Sequence, residues 1–275
     1  MELGGQALIE GVLIKSKEKI AISVRKKGKI ETKTDPTPNF SKKFSKIPFI
    51  RGIIVLIETL YLGIKYLNYS AEQQLENDEK ISKLETIFSI SISLIIAIGL
   101  FIVLPLLLSK FLTKDRVLFS VIDGIIRIII FLLFLIIISL SKDIRRTFEY
   151  HGAEHKSIAC YEANEELTVK NVKKYSTLHP RCGTSFIIYL LFISIIVFSI
   201  VWSEHFYIRL LQRIILIPII ASISYEILKL AAKKKDFFIN KIIITPGLLI
   251  QKITTKEPDE KQIEVAISAV KAVTK

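Results

Sequence analysis

Long apolar stretches alternate with charged segments along this chain of 275 residues. Residues 87–108 carry no charged side chain, and a helix of about 20 residues is long enough to cross a bilayer core of about 30 Å. Residues 117–140, 186–202 and 207–230 are also strongly apolar, although the first and the last of these contain a few charges. The pattern therefore predicts a mainly α-helical membrane protein with about four transmembrane helices within residues 84–230.

A fifth apolar segment, residues 47–70, follows a different pattern. Its charged residues Arg51, Glu58 and Lys65 recur every seven positions, so on a helix they form one narrow polar stripe. Such a helix is typical of the membrane interface, and residues 47–83 are predicted to form an interfacial helix and a polar connector. The alternative is that the helix crosses the bilayer, which would place the Lys-rich N-terminus outside the cell, against the usual retention of basic segments in the cytoplasm.

The two ends of the chain show β patterns. Apolar and polar residues alternate on both sides of Lys27–Gly28, which predicts a β-hairpin within residues 1–46. Residues 241–255 (KIIITPGLLIQKITT) are rich in β-branched side chains and predict further strand, whereas residues 259–273 have the period of an amphipathic helix. Residues 1–46 and the tail 231–275 are therefore expected to form a small cytoplasmic α+β portion.

The distribution of charge predicts the orientation. The chain has 39 Lys and Arg against 26 Asp and Glu, a net charge of +13. Because cytoplasmic segments retain Lys and Arg, both termini and the basic loop 141–185 are predicted to be cytoplasmic, in a multi-pass protein of the cell (inner) membrane. Anionic membrane lipids are the expected partners of the positive charge. Nucleic acid is not expected, because no recognition module accompanies the dispersed lysines.

The central loop carries the candidate chemistry. Residues 142–163 contain no proline and predict a helix on which His151, Glu154, His155 and Glu162 share one face. Two imidazoles one turn apart can bind one ion, and His-x-x-Glu-His is the inverted zinc-protease pattern, in which the two His bind zinc and the Glu activates water. The alternative is an amphipathic helix near a membrane surface whose His and Glu form an ordinary polar face.

Further metal ligands are available after this helix. His179 and Cys182 offer an imidazole and a thiolate just before an apolar stretch, and with His151 and His155 they would suit a divalent metal such as zinc. Cys160 is expected to be a small buried apolar side chain, and a disulfide is not expected in the cytoplasm.

A second candidate group lies near the N-terminus. In the stretch GGQALIEGV, Gln6 and Glu10 are spaced by one helical turn and are flanked by glycines that allow close backbone approach. The alternative is a terminal turn with a solvated Glu.

Charged residues inside the apolar stretches form a third group. Charges within a bilayer usually face the bundle interior and pair. Asp123 and Arg213 reach similar depths, and Asp123 can also reach Arg127 one turn below it. With Arg209, these residues predict a polar cluster in the outer half of the bundle, with excess positive charge suited to a lipid phosphate or another anion. Alternatively, Arg209 and Arg213 extend to the outer headgroups.

Several long motifs resemble the YqhQ family of bacterial membrane proteins. They are GGQALIEGV, YHGAEHK with LTVKNVKKYSTLHPRCGTSF, SYEILKLA and PGLLIQKITTKEPDEKQIEVAI. The family has an unknown function and is described as a predicted metal-dependent enzyme. The resemblance points to ten residues: Gln6, Glu10, His151, Glu154, His155, His179, Arg181, Cys182, Glu226 and Gln251.

Two classes of function follow from these features. In the first, the protein is a metal-dependent hydrolase, with Glu154 and Glu10 as candidate catalytic residues and the substrate a peptide, lipid headgroup or phosphoester. The candidate binding residues are Gln6, Glu162, Arg181, Glu226 and Gln251. In the second, a non-enzymatic membrane protein binds a lipid, an ion, a protein partner or a second copy of itself, and the His cluster is structural or regulatory. An open coordination position would distinguish the first class from the second.

Overall fold

The computed structural model describes residues 3–38, 44, 46–75, 80–233 and 238–274, with the side chains of 231–233 and 238–243 excepted. The four strands are β1 (Gly4–Leu8), β2 (Gly11–Lys15), β3 (Lys19–Lys26) and β4 (Lys29–Pro36). The helices are α1 (Ile50–Glu72), α2 (Lys83–Leu112), α3 (Arg116–Ser139), α4 (Lys142–Glu162), α5 (Val169–Val172), α6 (Gly183–Ile200), α7 (Phe206–Lys233), α8 (Phe238–Thr254) and α9 (Glu260–Thr274).

The N-terminal segment forms two hairpins that continue into one sheet. The strands are antiparallel in the order β1-β2-β3-β4, and the hairpin at Lys27–Gly28 is present as predicted. The prediction that Gln6 and Glu10 are spaced by one helical turn was wrong. Gln6 lies within β1, and Glu10 lies in a two-residue turn with a positive φ of 51°. Pairing of β1 with the very apolar β2 outweighs the local helical spacing.

The sheet is covered on both faces, which explains the unbroken apolar run of β2. Leu13 and Ile22 point to one face and pack against Leu62 and Tyr66 of α1. Val12, Ile14 and Ala21 point to the other face, where they join the core formed by α4 and α9. The result is a three-layer unit in which α4 is held directly against the sheet.

The C-terminal region differs from its prediction. Residues 241–255 were expected to form strand, but α8 spans Phe238–Thr254 and contains Pro246 in its interior. Burial of Ile250 against Phe131, Leu135 and Ile188 of α3 and α6 overrides the β-branched composition. The helix predicted over 259–273 is present as α9, and Asp259 and Gln262 begin it with the reciprocal hydrogen bonds of a capping box (2.7 and 2.9 Å).

Four helices of the described chain are long and apolar enough to cross a membrane: α2, α3, α6 and the stretch 206–230 of α7. They correspond to the four predicted spans. Within α2, residues 99–103 form a wider π turn that ends two residues before Pro105. Proline lacks an N–H and its ring crowds the carbonyl four residues earlier, and such π turns are a known way of accommodating an irregularity.

The link between α3 and α4 is very short. Helix α3 ends at Ser139 and α4 begins at Lys142. The two linking residues, Leu140 and Ser141, donate backbone hydrogen bonds to Ile137 and Ile138 (3.2 and 3.1 Å). The helix that carries the His-x-x-Glu-His motif therefore follows an apolar helix almost without interruption.

We predict that Gly152→Ala destabilises the protein. A Cβ atom added at Gly152 would overlap the carbonyl oxygen of Lys256. The N–H of Lys256 donates to the carbonyl of Phe148 (2.9 Å) and so holds this backbone against α4. The expected cost is about 1–3 kcal/mol, measured by thermal unfolding of the detergent-purified protein. Gly99→Ala is the control, because nothing lies within 4 Å of its added Cβ. Equal unfolding temperatures for the two variants would contradict the close approach at Gly152.

Candidate metal site

Three side chains bring metal-ligating atoms together. His151 and His155 lie one turn apart on α4, and Cys182 is the N-cap residue of α6. One ligand atom from each lies within 4.8 Å of the others, and His151 Nε2 is 3.2 Å from Cys182 Sγ. This distance allows one ion to contact both ligands after a small adjustment, since Zn–N and Zn–S bonds are about 2.0 and 2.3 Å.

Both histidines are oriented by backbone carbonyls. His151 Nδ1 lies 2.9 Å from the Thr254 carbonyl oxygen, and His155 Nδ1 lies 2.5 Å from that of Thr177. A carbonyl only accepts, so each Nδ1 carries a proton, and in the neutral ring each Nε2 keeps its lone pair. Histidines that bind metals usually donate their other N–H in this way. The two imidazoles are therefore in the tautomer that an ion requires.

Glu154 lies between the two histidines in sequence and is buried. Glu154 is only 4% exposed, and its Oε2 has no hydrogen-bond partner among the described residues. Loss of water raises the pKa of this carboxyl to about 7. A Cβ at Gly5 would lie 2.5 Å from Glu154 Oε1. The glycine in β1 is thus what allows the strand to lie directly against this carboxyl group.

A cavity of about 570 Å³ adjoins these residues. His151, Glu154, His155 and Cys182 line one side. The other walls come from the backbone and side chains of β1 and from apolar side chains of α1. The further lining residues include Gln6, Leu60, Ile64, Leu67, His179 and Arg181. The three potential ligands and a buried carboxyl group therefore share a space large enough for part of a substrate.

His179 is next to the three-ligand group but is not a member of it. Its ring centroid is 5.6 Å from that of His155, and its Nε2 is 3.7 Å from Glu162, which also pairs with Arg181. Burial and the neighbouring His155 lower the pKa of His179 to about 4, so its ring is neutral at physiological pH. Glu162 and Arg181 thus form an ion pair at the edge of the site.

Gln251 holds the turn that presents His179 and Cys182. It is fully buried on α8. Its Oε1 accepts from the N–H of His179 (2.8 Å), and its Nε2 donates to the carbonyl of the same residue (2.9 Å). The amide also donates to Ser185 Oγ at 3.4 Å. Gln251 therefore positions the backbone of the site.

The remaining candidates have separate locations. Gln6 lines the cavity, and Gly63 of α1 allows α1 to approach its amide, since a Cβ there would lie 3.0 Å from Oε1. Glu10 pairs with Arg146 and accepts from the Tyr150 hydroxyl at 3.2 Å. Glu10 thus joins the first hairpin to α4 and is not among the described residues that line the cavity. Glu226 pairs with Arg51, which joins α7 to the start of α1.

A charged cluster lies between the apolar helices, apart from the candidate metal site. Asp123 accepts hydrogen bonds from Arg127 (2.6 Å) and from Arg213 (2.7 Å to each oxygen). Arg127 also donates to Ser194 Oγ at 2.8 Å, and all three charged side chains are buried. Arg209 does not bond to Asp123. Its guanidinium stacks on aromatic rings, 4.7 Å from the centroids of Phe119 and Trp202.

Sequence reasoning missed several residues that shape the site. The carbonyls of Thr177 and Thr254 orient the histidines, but any residue supplies a carbonyl, so these positions carry no sequence signal. Gly152 in the middle of α4 is different. An isolated glycine in a helical pattern often marks close packing, and this one faces the backbone of Lys256.

The protein is therefore mainly helical, with four strongly apolar helices and a His-His-Cys group beside a cavity. The chain belongs to the family described as "Protein of unknown function (DUF1385)", whose model matches residues 47–275. It is 36% identical over 296 residues to "Uncharacterized protein YqhQ" of Bacillus subtilis (strain 168), covering 97% of this chain and 90% of that protein. The resemblance to the YqhQ family is thereby confirmed. No solved structure matches the chain.

We predict that Gln251→Leu destabilises the protein by about 1–3 kcal/mol, because it leaves the half-buried N–H and carbonyl of residue 179 without this partner. Thermal unfolding of the detergent-purified protein measures the change. The control is Gln74→Leu, which removes one exposed amide bond to the Arg25 carbonyl and should change stability by less than about 0.5 kcal/mol. Similar effects of the two substitutions would show that Gln251 does not hold the turn.

Proposed function

We propose that this protein is an integral membrane, metal-dependent hydrolase that holds a zinc-like ion with His151, His155 and Cys182. One observation carries the proposal. The three ligand atoms lie within 4.8 Å of one another, beside a cavity that also contains the buried carboxyl group of Glu154. Imidazole and thiolate ligands suit zinc, and three protein ligands leave the fourth position of a tetrahedral ion for water or substrate, as in catalytic zinc sites.

Glu154 is the proposed general base and acid. An ion in this site would lower the pKa of a water and polarise a substrate carbonyl or phosphoryl oxygen. The carboxyl group of Glu154 lies on the same helix face as the two histidines, and its raised pKa of about 7 suits proton transfer near neutral pH. Gln6 and Arg181, which line the same cavity, are proposed to bind the substrate.

The membrane placement is supported by which segments pack together. In the sequence, the sheet comes before α1, helix α4 comes after two of the apolar helices, and helix α9 comes after all four. The sheet, α4 and α9 nevertheless share one core. This shared core supports placing all three on one side of the membrane. This condition holds if α2, α3, α6 and α7 cross the membrane and α1 and α8 do not. We propose that α1 lies at the interface and, from the distribution of Lys and Arg, that the shared side is the cytoplasm.

His179 gives a reason to consider a second function. Its ring is 5.6 Å from His155, between centroids, and a change of its side-chain rotamer away from Glu162 could bring a fourth ligand to the ion. A closed four-ligand site would be structural. In that case the protein is a non-enzymatic membrane protein that binds a lipid, an ion or a protein partner.

We predict that the protein purified in detergent with Co²⁺ or Zn²⁺ binds one ion. His151→Ala with His155→Ala should abolish this binding, and Cys182→Ser should remove the thiolate-to-cobalt charge-transfer absorption. The chain offers matched controls. His205 is exposed, and Cys160 is buried in the core of the sheet, α4 and α9 and is not a member of the three-ligand group, so His205→Ala and Cys160→Ala should keep the stoichiometry. Equal metal content in the double His variant and in wild type would refute the site.

The same cobalt protein separates the two functions. Acetohydroxamate should shift the cobalt d–d spectrum if a coordination position is open, and it should leave the spectrum unchanged if His179 closes the site. The variant His179→Ala tests this directly. If hydroxamate shifts the spectrum only in this variant, the structural function is correct and the hydrolase proposal is wrong.

The proposed topology predicts opposite labelling of two introduced cysteines. Both native cysteines are buried, so they give little background. Lys114→Cys lies between α2 and α3, and Lys170→Cys lies in α5, both at exposed positions. In intact cells a membrane-impermeant maleimide should label only the residue at 114, and permeabilised cells should label both. Labelling of only the residue at 170 in intact cells would reverse the orientation.

A further inference from the structure

Strand β1 is an edge of the sheet, and among the described residues no segment pairs with the backbone of Gly5 and Ala7 on its outer side. The pairing of Leu8 with Gly11 flanks a two-residue turn, so Leu8, Gln6 and Gly4 exchange hydrogen bonds with β2. The alternation of an antiparallel ladder then directs the N–H and carbonyl groups of Gly5 and Ala7 away from β2. The next outward N–H, that of Ile9, donates to Ser70 Oγ of α1 at 3.3 Å.

The open part of the edge has little protection. Gly4 and Gly5 are exposed, and Gln6 and Ala7 are half-buried. Native proteins usually protect such an edge with Lys, Pro, a bulge or a covering segment. The residues of β1 are instead small or uncharged, GGQAL, and glycine lets a second backbone approach closely. These properties suit an edge that accepts another strand.

The open edge lies beside the proposed reaction centre. Gly5 and Ala7 line the same cavity as His151 and Cys182. Gly5 also lies against the Glu154 carboxyl group. A chain lying along β1 would therefore pass the buried carboxyl group and the three ligands.

We infer that the substrate is an extended polypeptide segment that adds to β1 as a further strand, with its backbone hydrogen-bonded to Gly5 and Ala7. This mode of binding, in which a peptide extends a sheet, takes its affinity from main-chain hydrogen bonds. The inference rests on the proposed function and names the substrate class of the same site.

Helix α1 supplies the side-chain preference. It covers one face of the sheet, and its Leu60, Ile64 and Leu67 line the cavity. Side chains of a strand alternate between faces, so every second residue of the added strand points toward α1. Those positions favour apolar side chains, which fits a polypeptide segment at a membrane surface.

The reaction is hydrolysis of a peptide bond and consumes one water. The water oxygen adds to the carbonyl carbon while Glu154 takes the water proton. The C–N bond then breaks and Glu154 gives that proton to the leaving nitrogen. The second water proton passes from the new carboxyl group to the amine. The products are therefore a carboxylate and an ammonium group, and Glu154 returns to its starting form.

Three hydroxamates test the inference on the cobalt-loaded full-length protein: acetohydroxamate, octanoyl hydroxamate and acetyl-dileucine hydroxamate. Shifts of the cobalt spectrum give their affinities. The dileucine compound should bind about tenfold or more tighter than acetohydroxamate, because it adds backbone hydrogen bonds. N-methylation of its internal amide should remove the gain.

Two proline variants complete the test. Ala7→Pro removes an outward N–H of β1 without removing a bond to β2, and it should abolish the tenfold gain of the dileucine compound. Thr34→Pro is the matched control on β4, the other edge strand, where the alternation makes residue 34 outward-facing like the natural Pro36. Both variants should retain one cobalt ion and their response to acetohydroxamate.

The outcomes separate this inference from the proposed function. Octanoyl hydroxamate binding as tightly as the dileucine compound, with no effect of Ala7→Pro, would overturn the polypeptide substrate and favour a lipid. If none of the three hydroxamates shifts the spectrum of protein that holds cobalt, the open coordination position does not exist, and the proposed function fails with the inference.

Discussion

Burial of three consecutive polar side chains on α4 is the constraint on which the rest of the structure depends. Glu154, His155 and Lys156 are each less than 5% exposed, and burying polar groups without partners costs several kcal/mol. The partners come from two distant segments, the loop 173–177 and the tail 254–257. Lys156 bonds to the Lys173 carbonyl and pairs with Glu257, while Thr177 accepts from His155. The geometry of the site therefore depends on the packing of both segments against α4. Glu154 is the exception, since one of its oxygens has no partner in the described chain, and such groups often mark functional sites.

The parts of the fold that could be predicted are those with a strong local period. The apolar helices, α4 and α9 fall into this group, as does the hairpin whose turn contains Gly28. The first hairpin was missed because its turn, Ile9–Glu10, contains no glycine, although Glu10 adopts a positive φ. Residues 241–255 were assigned to strand because their β-branched composition is a local preference, whereas the packing of Ile250 against α3 and α6 is a tertiary effect.

For the candidate site, the spacing on α4 was enough to bring His151 and His155 together. The choice between His179 and Cys182 as the third ligand could not be made from the sequence, because both lie in one short turn. Their roles depend on geometry. Cys182 caps α6 and points to His151, while His179 faces Glu162. The turn is held by an amide on α8, 72 residues away in sequence, and no local pattern reports a contact over that separation.

The two-residue link between α3 and α4 leaves almost no slack in the chain. Two residues span at most about 7 Å even when fully extended, and here they continue the hydrogen-bonding of the preceding helix. Helix α3 holds Asp123 between two arginines, and α4 holds the histidines. A shift of α3 along its axis therefore moves the N-terminal end of α4 by nearly the same distance. Between the buried charges of α3 and the candidate ligands of α4, only these two non-helical residues can absorb a displacement.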